Sequence, residues 1–178
     1  MSSPSETVVL VIGIGNLLRG DDSVGRIVAQ RLRERNIPQL QVLEQEGETT
    51  GLMEAWAGAD TVFVVDAISS KSRPGTILRL NATHQSLQRR IFQDSSHSFG
   101  LHEAIELARV LNQLPRRLII YGIEGKSFDL GAEVSSEAKV AASRVVKCMV
   151  AELTPLCAGT YRQSAEPSRR KSSTSPQF

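Results

Sequence analysis

Strand-like and helix-like segments alternate through most of this 178-residue chain. The alternation predicts an α/β fold of three layers: a twisted, mostly parallel sheet of about five strands with helices on both faces. Three observations support it. Residues 7–12, 61–65 and 118–123 are short, unbroken, largely aliphatic runs, as strands buried on both faces require. Apolar residues recur at helical spacing between them. No internal repeat or interior linker divides the chain, so one domain is expected over residues 1–158.

Taken in order, residues 7–12 form the first strand, and a glycine-containing loop follows. Val24, Ile27, Val28 and Leu32 recur on one face and predict a helix over residues 24–35. Residues 41–44 fit a second strand and residues 52–57 a short helix. The strand at 61–65 ends in Asp66. Pro74-Gly75 marks a turn, after which residues 76–80 alternate as a more exposed strand does. Ser96 or Ser98 offers an N-cap for a helix over residues 99–111, with Glu103 early in it. Beyond the strand at 118–123, Ser135-Ser136 caps a last helix, which runs to about residue 153 and is stopped by Pro155.

The composition is that of an ordinary globular domain, with 40% hydrophobic and 22% charged residues. Two cysteines, Cys148 and Cys157, are too few for a disulfide framework, and their spacing matches no zinc motif. No apolar run reaches the roughly 20 residues needed to span a bilayer. The opening Met-Ser-Ser-Pro-Ser-Glu lacks the basic-then-apolar layout of a secretory leader. A cytoplasmic protein with no membrane contact is expected. The net charge of +2 is concentrated at one end. Residues 159–178 hold Arg162, Arg169, Arg170 and Lys171 against Glu166, a balance of +3, which leaves the rest of the chain at −1. The basic excess belongs to a Ser/Pro/Gln-rich tail expected to be disordered, and the folded part has no net attraction for nucleic acid.

In folds of this kind ligands bind outside the carboxyl ends of the strands. The segments after Ile12, Val65 and Ile123 are therefore where chemistry is expected. The loop from Gly13 to Gly25 lacks the third glycine of a dinucleotide fingerprint, which would fall at Leu18. Asp21 and Asp22 at the head of a helix repel a pyrophosphate and attract a cation. One aspartate suffices to cap a helix and complement its dipole. Asp21 is assigned to capping or loop support, and Asp22 to the site. Position alone leaves Asp66 two roles, lining the crevice or capping the turn formed by Ala67-Ile68-Ser69-Ser70.

Each of the three histidines has its own setting. His84 follows the exposed strand in a polar stretch and reads as a surface residue, and His102 sits within a helix. His97 lies in Ser95-Ser96-His97-Ser98-Phe99-Gly100, just before that helix. A helix N-terminus lowers proton affinity there and favours the neutral imidazole that binds metals. Asp22, Asp66 and His97 thus make a mixed nitrogen and oxygen set with coordination positions left open. That is how catalytic metal sites are arranged, and the set suits zinc, nickel or iron. Serine-hydrolase chemistry is disfavoured, because no G-x-S-x-G elbow occurs and Ser136-x-x-Lys139 stands alone within a helix pattern.

These residues carry a resemblance. Gly13-Ile14-Gly15-Asn16-Leu17-Leu18 with Asp21-Asp22-x-x-Gly25 resembles the opening motif of the hydrogenase maturation endopeptidases. Val65-Asp66-Ala67-Ile68 resembles their second motif, and His97-Ser98-Phe99-Gly100-Leu101 their third. Order and spacing agree over residues 7–153, and residues 44–51 and 122–128 also resemble family loops. The tail resembles nothing in the family. The intermediate loops are most similar to the branch serving cytoplasmic bidirectional, NAD-linked hydrogenases.

The resemblance implies a metal-dependent endopeptidase that removes the C-terminal extension of the nickel-iron hydrogenase large-subunit precursor once nickel has been inserted. Asp22, Asp66 and His97 would form the metal-binding site, engaging the substrate's own nickel rather than a resident ion. The first ligand is often glutamate in the family and is the shorter Asp22 here. Which group serves as general base is left open, including whether one of the aspartates does. The resemblance also implies one antiparallel strand, for which residues 76–80 are the candidate, and a monomer is expected. Two other readings remain at this point: a non-catalytic nickel-binding assembly factor, and a small nucleotide-binding protein using the Gly13-Gly15 loop.

Overall fold

The computed structural model describes residues 8–84 and 98–158. Within them lie five strands: β1 (Val9–Ile14), β2 (Leu40–Gln45), β3 (Thr61–Ile68), β4 (Ile77–Asn81) and β5 (Arg117–Glu124). They form one sheet in the order β2-β1-β3-β5-β4. Every pairing is parallel except β4 with β5, so the antiparallel strand stands at an edge, where it was expected. Four α-helices accompany them: α1 (Val24–Arg33), α2 (Thr49–Trp56), α3 (Ser98–Val110) and α4 (Ser136–Cys157).

The pleat of β3 divides the core in two. All eight of its residues are buried, and successive side chains point to opposite faces. Phe63, Val65 and Ala67 join Val24, Val28 and Leu32 of α1 and Val145 and Met149 of α4. Val62, Val64 and Ile68 join Leu52 and Trp56 of α2 and Leu101 and Ile105 of α3. Each such side chain contributes about 1.5–3 kcal/mol on full burial, so both faces must stay covered. β2 is an edge strand with a half-exposed alternating pattern. It is fastened to α1 through Glu44, which accepts hydrogen bonds from Arg26, Gln30 and Arg33. Burial pushes the Glu44 carboxyl up, but the bonds from Arg33, Arg26 and Gln30 outweigh it and hold the group below its usual range. No helix among the described residues is long and apolar enough to cross a membrane.

Most elements begin or end one to three residues from the sequence expectation, and three of the shifts have a clear cause. β1 extends through Gly13 and Ile14, because Gly13 pairs with both Glu44 and Val65 and the ladder continues past the apolar run. β3 runs on to Ile68, which pairs with Glu124, so Asp66 lies inside the strand and not behind it. α4 passes Pro155 and ends at Cys157. A proline in the last turn removes one N–H, and burial of Leu156 and Cys157 on the core offsets that loss.

Candidate functional site

The carboxyl ends of β1 and β3 are held close to the start of α1 by glycines. A Cβ on Gly25 would stand 2.2 Å from the Ile14 carbonyl oxygen and 2.3 Å from that of Val65. Only hydrogen fits there, so the helix head presses onto both strand ends. Gly15 adopts φ +144°, and a Cβ on it would stand 1.8 Å from the Asp22 carbonyl oxygen. The loop between β1 and α1 therefore folds back on itself, and a short 3-10 turn over Gly20–Ser23 delivers the two aspartates.

These aspartates diverge in role. Asp21 is fully buried and accepts four hydrogen bonds from the loop between β5 and α4. The donors are the backbone N–H groups of Lys126 (2.7 Å), Ser127 (3.4 Å) and Ser135 (2.6 Å), and the Ser135 hydroxyl (2.8 Å). Ser135 Oγ in turn accepts from Ala138 N–H and caps α4. Asp21 is thus the loop support expected of it, and it caps no helix of its own. Asp22 is 2% exposed, and its Oδ2 accepts from the Asn16 N–H at 3.2 Å.

Asp66 has no exposed surface and lies opposite Gly122 in the parallel register. By the strand's period of two it shares a face with Val62, Val64 and Ile68, the face covered by α2 and α3. α3 begins at Ser98, the residue after His97. Its first turn is pinned to the loop after β2: a Cβ on Gly100 would stand 2.0 Å from the Gly47 carbonyl oxygen, and Thr49 Oγ1 donates to the Gly100 carbonyl at 3.3 Å. His97 itself lies outside the described residues. Among the described residues no group of three or more His, Cys, Asp and Glu side chains is assembled for a metal. Asp22 and Asp66 are the two members of the sequence-derived set that the structure places, both at the carboxyl end of the sheet. His84 is exposed and His102 half-exposed on α3.

The sequence reading passed over Glu124 as a functional side chain. This carboxylate is 3% exposed at the end of β5. It accepts from Ser70 N–H at 2.9 Å, Ser70 Oγ at 2.7 Å and Ser72 N–H at 3.2 Å. It therefore fixes the loop that leaves β3 just after Asp66. The signal that marks Asp66, an acidic residue closing a buried run, is equally present at Glu124.

Comparison with known proteins agrees with this geometry. The sequence profile described as "Hydrogenase maturation protease" matches residues 25–152, a span that includes Asp66 and His97 and starts just after Asp22. The hydrogenase 2 maturation protease of Escherichia coli is 31% identical over 126 residues, covering 68% of this chain and 75% of that protein. The hydrogenase expression/formation protein HupD of Thiocapsa roseopersicina is 29% identical over 127 residues. That match covers 70% of this chain but only 58% of HupD. Among solved structures, the nickel-iron hydrogenase maturation protease HybD of Thermococcus kodakarensis superposes with a TM-score of 0.63 at 28% identity, covering 82% of this chain and 98% of that one. On the profile match and these likenesses, the chain belongs to the hydrogenase maturation protease family.

Proposed function

We propose that this protein is a nickel-dependent, specific endopeptidase. Its substrate is the precursor of a nickel-iron hydrogenase large subunit, already loaded with nickel, and it removes the C-terminal extension. The observation that carries the reading is the pair of buried carboxylates, Asp22 and Asp66, at the carboxyl end of the sheet in a member of this family. His97 completes the set as the neutral nitrogen ligand.

In this reading the metal arrives with the substrate. Two carboxylates and one imidazole bind nickel already held by the precursor, which places the scissile peptide in the crevice. A cation there polarises the carbonyl or lowers the pKa of the attacking water. Water adds to the carbonyl carbon, the C–N bond breaks, and the products are the trimmed subunit with a new carboxylate and the released peptide with a new amine. A precursor without nickel offers the site nothing to bind, so processing follows metal insertion. The enzyme acts in the cytoplasm as a monomer.

Mass spectrometry of the precursor after incubation with the protein tests this. Loss of the extension from nickel-loaded precursor, with nickel-free precursor left intact, is the expected result. Unchanged mass with stable complex formation would instead identify a non-catalytic assembly factor.

A further inference from the structure

We propose that the groove between β4 and α4 receives an extended, acidic segment of the precursor several residues from the bond that is cut, an inference that rests on the protease reading above. α4 covers the centre of the sheet but leaves the face of β4 open, and a cavity of about 910 Å³ lies between them. Ile77, Tyr121 and Val140 supply apolar surface, and Val140 is 60% exposed. Arg73, Arg79 and Arg144 line the same groove.

The charge there is not balanced. Glu137 is engaged by Lys126 at 3.0 Å. Glu152, behind the groove, is held by Arg79 at 2.7 Å and Arg117 at 3.6 Å and accepts from the Tyr121 hydroxyl. Arg73 and Arg144 are exposed and enter no ion pair among the described residues. The surplus is positive, so the complementary occupant is acidic. Among the described residues β4 pairs with β5 alone, and an outer strand can accept an added one. The protein's own tail, with its excess of +3, has the wrong sign.

The groove opens at the same carboxyl edge of the sheet as the site, on the opposite face. The turn at its mouth is attached to the end of β5, where Gly75 N–H donates to the Glu124 carbonyl at 2.8 Å. From β3, which carries Asp66, to β4 is two strand spacings, about 10 Å. Asp66 faces α2 and α3 while the groove lies on the α4 face, so the chain also passes over the carboxyl edge of the sheet, about as far again. An extended peptide with its scissile bond beside Asp66 covers that in about six residues.

The test uses the full-length protein and a fluorescein-labelled peptide of four Glu-Val repeats, with a Lys-Val counterpart, read by fluorescence anisotropy. The Glu-Val peptide is expected to bind at least about tenfold tighter than its counterpart. Arg73→Glu with Arg144→Glu should abolish that preference, and Arg73→Lys with Arg144→Lys should keep it. The chain carrying R169Q, R170Q and K171Q should bind like the wild type. On nickel-loaded precursor, the double charge reversal should raise KM about tenfold and leave kcat unchanged. Equal binding of both peptides, unaltered binding by R73E/R144E, or loss of binding in the tail variant would overturn the proposal. So would a concentration-dependent dimer that R144E dissociates, because a second copy would then be the occupant. Failure of the wild type to cleave any precursor counts against the protease reading. Normal wild-type cleavage with an unchanged KM in R73E/R144E counts against the groove alone.

Discussion

Gly25 packs against the carbonyl of Val65 so closely that a Cβ on it would stand 2.3 Å from that oxygen. Val65 precedes Asp66, and Gly25 follows Asp22 by one helical turn, so this one contact sets how the two carboxylate-bearing segments meet. Gly25→Ala should force the helix head off the strand ends. Overpacking of this kind costs about 1–3 kcal/mol, and the displaced loop should lower cleavage further. Gly51→Ala is the matched control. Gly51 lies in α2, where the nearest atom to an added Cβ is the Gln45 side-chain oxygen at 3.6 Å. That substitution should stabilise the protein by about 0.5–1 kcal/mol, since alanine is the better helix former. Urea denaturation of both variants separates the two effects.

Neighbouring aspartates should fail in different ways. Asp21→Ala removes a buried carboxylate that accepts four hydrogen bonds, among them those from the N–H groups of Lys126 and Ser135. A loss of about 3 kcal/mol is expected, from about 1.5–3 kcal/mol for each hydrogen bond to a charged group. Asp22→Ala loses the bond from the Asn16 N–H at 3.2 Å and should cost less. On nickel-loaded precursor the order reverses. Asp22→Ala should abolish cleavage at a temperature where it is fully folded, and Asp21→Ala should retain turnover while it remains folded.

Glu124 tests whether the loop after Asp66 must be held. Glu124→Gln keeps the volume but offers one acceptor oxygen where the carboxylate offers two, weakening the bonds from Ser70 and Ser72. Charge-assisted bonds contribute about 1.5–3 kcal/mol each. A stability loss of about 1–2 kcal/mol is expected on that scale. Hydrogen exchange of the Ser70 and Ser72 amides should quicken while the core of β3 stays protected.

Tyr121 gives a pH prediction. Burial, and then its bond to the Glu152 carboxylate, pushes the phenol up to about 12. A group raised in the folded state stabilises the fold fully below its ordinary value of about 10. The contribution is lost as pH rises from there through the folded value. In a Tyr161→Phe chain, where Tyr121 is the remaining tyrosine, ultraviolet absorbance should report one phenolate transition near 12. Glu152→Gln should bring it down, and a wild-type transition at the ordinary value would contradict the arrangement.

Much of this was legible in the sequence because burial on two faces writes itself as unbroken aliphatic runs. β3 and β5 stood out for that reason, and the Pro74-Gly75 turn marked the exposed strand that the family resemblance implied to be antiparallel. Asp21 and Asp22 were told apart by a charge argument, and the structure gives them different partners. What the sequence hid is what depends on contacts between distant residues. Nothing local says that Gly25 touches Val65, or that Asp66 stays inside its strand because Ile68 finds Glu124 as a partner. Glu124 carries the same local pattern as Asp66, an acid closing a buried run, and its role appears only once Ser70 and Ser72 are seen against it. Pro155 was read as a stop, but tertiary burial of Leu156 and Cys157 carries the helix past it.

In the proposed reaction Asp22, Asp66 and His97 together read the nickel in the precursor. Its most direct test is the cleavage rate of nickel-loaded precursor by Asp22→Ala, Asp66→Ala and His97→Ala, each first shown to be folded, with His102→Ala as control. A loss of at least about a thousandfold is expected for each of the three, equivalent to about 4 kcal/mol of transition-state stabilisation, with His102→Ala near-silent. Wild-type rates in Asp66→Ala and His97→Ala would contradict it.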